Sequence, residues 1–498
     1  MPELCSVRYG IVRASKHLNS ILSSILLESI LNISSVFWSK MANMTEFKNR
    51  KEELKLLNSL YEKGDSKLII VYGRRRVGKT ELLKEFLKKH KGLYILARQE
   101  SELEQLKKLS SQIAEYYNDR VLKINPFSSW DALFTYLSEK PRIPIVFDEF
   151  PYLVQSSKRV TGILQDYWDN RFSKKGAYIV LCGSSINMME RLLGHKSPLY
   201  GRRTEQLLVE PMKFDDATLF FPQNLSLKNK VLYYALLGGM PAYLLEFDFS
   251  KTLKENLISN LLRKNKLLYN DVLFAIREEL KEPRNYFSIL YSISKGNTRS
   301  GQIVNDTGLG KSFVNKYLSV LIDLQLVERR VPITERNPKR SRNGIYLIKD
   351  NFFKFWFRFV FENQEYIEQD RQEKLFHEKI EPELNGFTGK IFEEIVLGVI
   401  SRNKNYNDYL FGRWWNKEEE ADLVGIDREH KKILIGEIKF TKLNKKDTFS
   451  IKNSLQAKAK KINTFGYKEH LVLICLECDE KIKEEGFEVI NLTELIRG

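Results

Sequence analysis

The sequence predicts an α/β protein. A parallel sheet covered on both faces comes first, then a run of helices, a small helix-and-hairpin unit and a second α/β region. Three observations carry this. Apolar runs of strand length at Lys67–Tyr72, Leu93–Ala97, Ile143–Phe147 and Tyr178–Cys182 alternate with amphipathic or mixed text, as βαβ units do. The first run passes at once into Gly73-Arg-Arg-Arg-Val-Gly78-Lys79-Thr80 and then into an amphipathic helix. After about Asp216 the strands stop, and the text that returns past Tyr286 has a different grammar.

Composition bounds the rest. A chain of 498 residues holds roughly three domains at ~150 residues each. An aromatic share of 12% excludes a largely disordered chain. Lys and Arg outnumber Asp and Glu by 81 to 64, a net charge of +17, which favours a polyanionic partner, nucleic acid first. Four cysteines are too few for a secreted disulfide framework, so a reducing, cytoplasmic setting is expected. The Cys475-x-x-Cys478 pair ends a buried-strand pattern and has no second pair to complete a zinc site. The most apolar early stretch, Ile21 to Trp38, is broken by Ser, Asn and Glu residues and gives no membrane-spanning segment. Residues 1–43 read as an N-terminal extension, either an upstream-extended start or a dispensable arm.

The element order follows from period and punctuation. Apolar residues from Phe47 to Leu60 have helical spacing, and Gly64-Asp65 closes that helix. Lys67–Tyr72 is uniformly apolar, as a strand buried on both faces requires. Gly73, Arg74, Arg75, Arg76, Val77, Gly78, Lys79 and Thr80 satisfy G-x-x-x-x-G-K-[ST] between strand and helix. Such a loop wraps backbone N–H groups around a β-phosphate. Lys79 would reach the β- and γ-phosphates of ATP, and the Thr80 hydroxyl would bind Mg²⁺. The three arginines are either further phosphate contacts or solvated charge. Asp148 and Glu149 end an apolar strand, at the edge where open α/β sheets bind ligands. Asp148 would hold Mg²⁺, and Glu149 would polarise the attacking water. Ser184 ends the next strand, where a hydroxyl could meet the γ-phosphate or that water. Arg202 and Arg203 offer cations for charge developing in the transition state.

These motifs, with Phe47-x-Asn49-Arg50 before them and Tyr200-Gly-Arg202-Arg203 and Gly238-Gly-Met-Pro241 after them, resemble the archaeal STAND-type ATPases, relatives of the AAA+ group among P-loop ATPases. The resemblance covers roughly Met44 to the C-terminus. It implies a five-stranded parallel sheet, a helical lid and a winged helix, with Ser184 as a sensor of nucleotide state and Arg202 as the family arginine.

Leu227 to Glu279 reads as helices. Tyr286 to Ile348 has three helices and a hairpin, the winged helix-turn-helix order. In Lys311–Leu324, the candidate recognition helix, Phe313, Tyr317 and Leu318 are expected inward and Lys311, Ser312, Asn315 and Lys316 outward, toward DNA. The loop with Arg336, Lys339, Arg340 and Arg342 suits phosphate contact.

From Thr388 a second chemistry is suggested. Glu437 and Lys439 share one strand face, and a hairpin could bring Asp422 beside them. Asp422 and Glu437 would coordinate a divalent metal, Glu393 would complete the site from a helix, and Lys439 would activate water. This resembles the PD-(D/E)XK nuclease core, with Gly389-x-x-Phe392-Glu393 ahead of it and Gln456 and Lys458 after it. The expected divisions are 1–43, 44–215 (ATPase core), 216–285 (helical lid), 286–365 (winged helix) and 366–498 (nuclease-like). The expected activity is ATP hydrolysis coupled to a nucleic-acid module, in a possible homo-oligomer. The alternative is a regulatory switch whose C-terminal region only docks.

Overall fold

The apolar runs become strands because nothing polar interrupts the faces they must bury. β1 (Lys67–Tyr72), β2 (Leu93–Leu96), β3 (Pro144–Asp148), β4 (Tyr178–Gly183) and β5 (Glu205–Leu208) form one sheet in the order β2-β3-β4-β1-β5. All its pairings are parallel. The computed structural model describes residues 47–280, 282–462, 466–478, 483–484 and 486–497. The expected extension 1–43, with its apolar stretch, therefore lies outside the described residues. The chain divides into Met1–Asn49 and Arg50–Gly498, and every element named here belongs to the second.

β5 escaped the sequence reading as a local signal. It is four residues long and half-exposed, so its text, Glu-Gln-Leu-Leu, lacks the uniform apolarity of β1. Parallel pairing to β1 defines it instead.

Helices Leu227–Leu237, Pro241–Leu244, Leu253–Asn260 and Leu267–Glu279 follow. Gly238 caps the first of them, and Pro241 opens the second. Gly239 is dictated by close approach: its carbonyl accepts from Met212 N at 2.7 Å, and a Cβ there would lie 1.7 Å from the Met212 carbonyl oxygen.

Helices Pro283–Ser294, Ser300–Thr307 and Lys311–Asp323 lead into the antiparallel pair β6 (Val327–Arg330) and β7 (Ile345–Ile348). Within Lys311–Asp323 the buried positions are Val314, Leu318 and Leu321, an i, i+4, i+7 stripe. That corrects one expectation: Phe313 is 57% exposed and faces outward, because Val314 takes the inward position. The aromatic run Phe352–Val360 is buried as a helix with a π-helical turn, and Trp356 Nε1 donates to Tyr269 O at 2.9 Å.

The C-terminal region is a six-stranded mixed sheet: β8 (Leu410–Trp415), β9 (Glu420–Asp427), β10 (Lys432–Leu443), β11 (Lys468–Cys478), β12 (Lys483–Glu484) and β13 (Phe487–Asn491), ordered β12-β13-β11-β10-β9-β8. Strand alternation sorts its core. Leu434 and Ile438 pack with Phe392 and Val396 of helix Glu381–Ile400. Ile433 and Ile435 pack with Leu455 and Ala459 of helix Lys445–Ile462. Val231 and Ala235 of Leu227–Leu237 join the first of these cores. Among the described residues no helix is long and apolar enough to cross a membrane.

Candidate functional site

Two groups of the predicted residues come together. In the first, β1 delivers the chain into the glycine loop. Gly73 has φ 151°, and a Cβ on it would meet the Val209 carbonyl oxygen at 2.3 Å, so the loop can pass β5 only as glycine. Helix Lys79–His90 starts directly after Gly78, pointing its free N–H groups at the loop. Lys79 is 5% exposed, and its Nζ donates to Gly73 O (2.8 Å) and Arg74 O (3.0 Å). The ammonium thus rests on its own loop's carbonyl oxygens.

Thr80 Oγ1 donates to Asp148 Oδ2 at 2.7 Å, across 68 residues of sequence. The same oxygen accepts from Tyr94 OH at 2.6 Å. Burial, reinforced by Asp148, raises the Tyr94 pKa, so the phenol stays a donor. Glu149 holds the left-handed conformation, φ 54°. That turn aims its carboxylate at β4, where Ser184 Oγ donates to Oε2 at 2.9 Å and Ser184 N lies at 3.3 Å. Hydroxyl and carboxylate oxygens at Thr80 and Asp148 are the hard donor set that suits Mg²⁺.

Each loop arginine has a carboxylate partner from beyond the sheet. Arg74 pairs with Asp350 (2.6 Å), Arg75 with Glu278 (3.3 Å) and Arg76 with Asp271 (2.5 Å). Tyr243 OH also donates to Asp271. Glu279, beside Glu278, accepts from Ser185 Oγ and from the backbone N–H of Ile186 and Asn187, capping the helix that follows β4. Burial raises its pKa despite those bonds. Arg50 braces the loop from the other side through Val77 O at 2.8 Å. Arg202 instead pairs with Asp169 at the surface, and Arg203 donates to Leu193 O.

A cavity of about 440 Å³ adjoins the loop, lined by Arg50, Arg74, Val209, Met212, Tyr234 and Gly239 among others. A separate, much smaller cavity of about 30 Å³ lies between helix Leu267–Glu279 and Arg74, Arg75 and Ser184.

The second group lies in the C-terminal sheet. β9 runs antiparallel to β10, and Asp422 Oδ2 accepts from Ile438 N at 3.0 Å. Glu437 is held by Lys439 Nζ at 2.7 Å and Lys458 Nζ at 2.9 Å. Burial alone would raise the Glu437 pKa, but these two ammonium groups win and lower it. Burial and then Glu437 raise Asp422. Glu393 is bonded to Arg413, yet burial outweighs that attraction and lifts its pKa to about 7. A cavity of about 640 Å³ opens beside Glu393 and Lys439, with Lys228, Lys390 and Gly389 on its wall. Gln456 is exposed.

The oxygens of Glu393, Asp422 and Glu437 are not gathered as ligands of one ion. Among the described residues, the set whose ligand atoms all lie within 4.8 Å is Asp408, Asp427 and His430. There Asp427 already accepts from the backbone N–H of Glu429 and His430, the work of a turn cap. Tyr94, Asp271, Glu278, Asp350 and Arg413 had no local signal in the sequence, because each acts through a partner distant in the chain.

The sequence family described as an ATPase domain predominantly from Archaea matches residues 47–247. A second, described as "Archaea bacterial proteins of unknown function", matches residues 356–451. An uncharacterized protein of Methanocaldococcus jannaschii is 32% identical over 445 residues, 87% of this chain and 97% of that one. The chain belongs to the same family as this archaeal protein. The stretch that the ATPase-domain family matches contains the first group of residues, from Gly73 to Ser184. An uncharacterized ATP-binding protein of the same organism is 51% identical over 51 residues, 10% of this chain and 86% of its own. A solved Walker-type ATPase of Pyrococcus abyssi is similar over 63% of this chain and 96% of its own, at 21% identity and a TM-score of 0.46.

Proposed function

We propose that the chain hydrolyses ATP to ADP and phosphate, and that the cycle drives a C-terminal half acting on nucleic acid. The observation that carries the ATPase reading is the Thr80–Asp148 hydrogen bond beside Lys79. It supports that reading by bringing Lys79, Thr80 and Asp148, which would grip phosphate and hold a metal, to one place.

On nucleotide entry Lys79 exchanges its two carbonyl partners for β- and γ-phosphate oxygens. Thr80 and Asp148 would hold Mg²⁺, which neutralises charge between the β- and γ-phosphates. Glu149 orients and polarises the attacking water. Ser184, already bonded to Glu149, fixes that carboxylate and reports on the γ-phosphate beside it. Arg202 would have to leave Asp169 to serve a transition state.

For the C-terminal half, the helix order and the β6–β7 pair support a winged helix. Arg336, Lys339, Arg340 and Arg342 are exposed and have no carboxylate partner among the described residues. With the exposed Lys311, Phe313 and Lys316 they form a surface suited to DNA. Asp422, Glu437 and Lys439 at neighbouring positions support a nuclease-like centre in which Glu393, Asp422 and Glu437 would take Mg²⁺ or Mn²⁺. Purified protein should cleave DNA with either ion, and Glu437→Ala should stop it.

One observation favours the second reading, a regulatory ATPase with an inert docking domain. Glu437 already has two ammonium partners, an arrangement complete without a metal. ATP turnover that no nucleic acid alters, with no cleavage, would decide for it.

A further inference from the structure

The turn after β4 carries two serines with different tasks. Ser184 Oγ donates to Glu149 at 2.9 Å. Ser185 is the N-cap of helix Ile186–Leu193, and its Oγ accepts from Met188 N at 3.4 Å. An α-helix leaves its first N–H groups without partners inside the helix. Here Ile186 and Asn187 direct theirs to the Glu279 carboxylate, at 3.0 and 3.4 Å, and Ser185 Oγ donates to it at 3.1 Å. Glu279 is the last residue of helix Leu267–Glu279, 92 residues along the chain from Asn187.

The same helix holds the glycine loop, through Asp271 on Arg76 and Glu278 on Arg75. It therefore bonds to both sides of the first site. Packing makes the β4 side stiff. Gly183, the last residue of β4, has no room for a side chain: a Cβ would lie 2.6 Å from Pro151 Cδ and 2.7 Å from Met189 Sδ. Pro151 follows Glu149 by two residues, and Met189 is fully buried on the capped helix. In so close-packed a corner, a shift of helix Ile186–Leu193 carries to Ser184 and to the turn that aims Glu149.

We propose that Glu279 is a positioning residue for ATP hydrolysis: it fixes the turn after β4 so that Ser184 holds the Glu149 carboxylate, and turnover therefore depends on where helix Leu267–Glu279 sits. The inference rests on the reading that Glu149 orients the attacking water. The donors around Glu279 are a hydroxyl and two amides rather than a cation, so its work is to close the helix end. Its removal leaves those amides without a partner and frees the turn. Lys79, Thr80 and Asp148 stand on other elements and keep their places, so the loss falls on kcat and spares nucleotide affinity. A misplacement of about 1 Å near a reacting group costs up to about 100-fold in rate.

The test is a double-mutant cycle on the full chain, read as phosphate release at saturating ATP with Mg²⁺ and as fluorescent-nucleotide affinity. Glu279→Ala should lower kcat about tenfold or more and leave affinity within about twofold. Ser184→Ala should lower kcat as well. In that background Glu279→Ala should cost little more, because its effect passes through Ser184. Should Glu279→Ala melt before its parent, Glu279→Asp takes its place in the cycle: it keeps the charge and falls one methylene short of the amides. Full kcat in Glu279→Ala, or losses that multiply with those of Ser184→Ala, overturns the proposal and leaves the ATPase reading standing. A matching fall in nucleotide affinity makes Glu279 a structural brace and overturns it too. A parent that releases no phosphate, or Ser184→Ala at full rate, overturns the reading of Glu149 and Ser184, and the proposal with it.

Discussion

The two sites manage charge in opposite senses. Around the glycine loop the paired charges are cations, from buried Lys79 to exposed Arg75, and oxygens of the protein hold them: Lys79 rests on Gly73 and Arg74 carbonyls, and Arg74, Arg75 and Arg76 each rest on a carboxylate. In the C-terminal sheet the charges in waiting are acids, and nitrogens hold them: Glu393 by Arg413, Glu437 by Lys439 and Lys458. On the proposed reading the first arrangement would receive an anion and the second a cation. Buried charge without a partner costs far more than a salt bridge returns, so the buried groups keep internal partners, which on the proposed reading are stand-ins for a ligand.

The sharpest break is at Lys79. Lys79→Ala should weaken ATP binding by about 100-fold or more, since a charged hydrogen-bonding group is removed; a fluorescent-nucleotide titration reads this. Glu149→Gln should leave that affinity in place and lower kcat by roughly 10²–10⁴, measured as phosphate release. Undiminished binding by Lys79→Ala would end the reading of the first site.

Next in size is the Arg74–Asp350 pair, whose side chains are 11% and 3% exposed. Asp350→Ala strands a buried guanidinium and should cost about 3–5 kcal/mol in urea unfolding. A cost under about 1 kcal/mol would mean that Arg74 turns to solvent and that the stand-in idea is wrong there.

Glu393 tests the acid side. Its pKa rises from the usual 4.5 to about 7 in the folded chain. A carboxyl group more easily protonated when folded lends stability at low pH and surrenders it as pH climbs from 4.5 through about 7. The melting temperature of Glu393→Gln, measured against its parent, should therefore rise across that window and level off above it. A flat difference would show that Arg413 keeps the acid ionised throughout.

The smallest effect belongs to the hairpin. Arg340→Ala should reduce the slope of log affinity for duplex DNA against log salt by about 0.9. An unchanged slope removes Arg340 from the contact.

What the sequence made legible follows from range. β1, β3 and β4 are buried on both faces, so their apolarity is written locally. β5 is a short, half-exposed edge strand, and its pairing with β1 is a tertiary fact. Thr80 and Asp148 could be matched in advance because motif spacing on strand and helix fixes where each must stand. Asp350 lies 276 residues from Arg74, and no periodicity links them. Phe313 misled because a helix pattern shifted by one residue reads almost equally well, and only packing selects Val314. Asp422 was expected beside Glu437, but Arg413 among the acids could not be foreseen without the pairing of β8 to β9.

The three matched pairs at Arg74, Arg75 and Arg76 also bear on selectivity inside a crowded cell. A bare run of guanidinium groups at the mouth of a nucleotide pocket would snare any passing RNA. With an acid set against each, the run presents a weaker net field to a long polymer, and on the proposed reading a compact triphosphate able to reach the amides behind it would find the complementary seat.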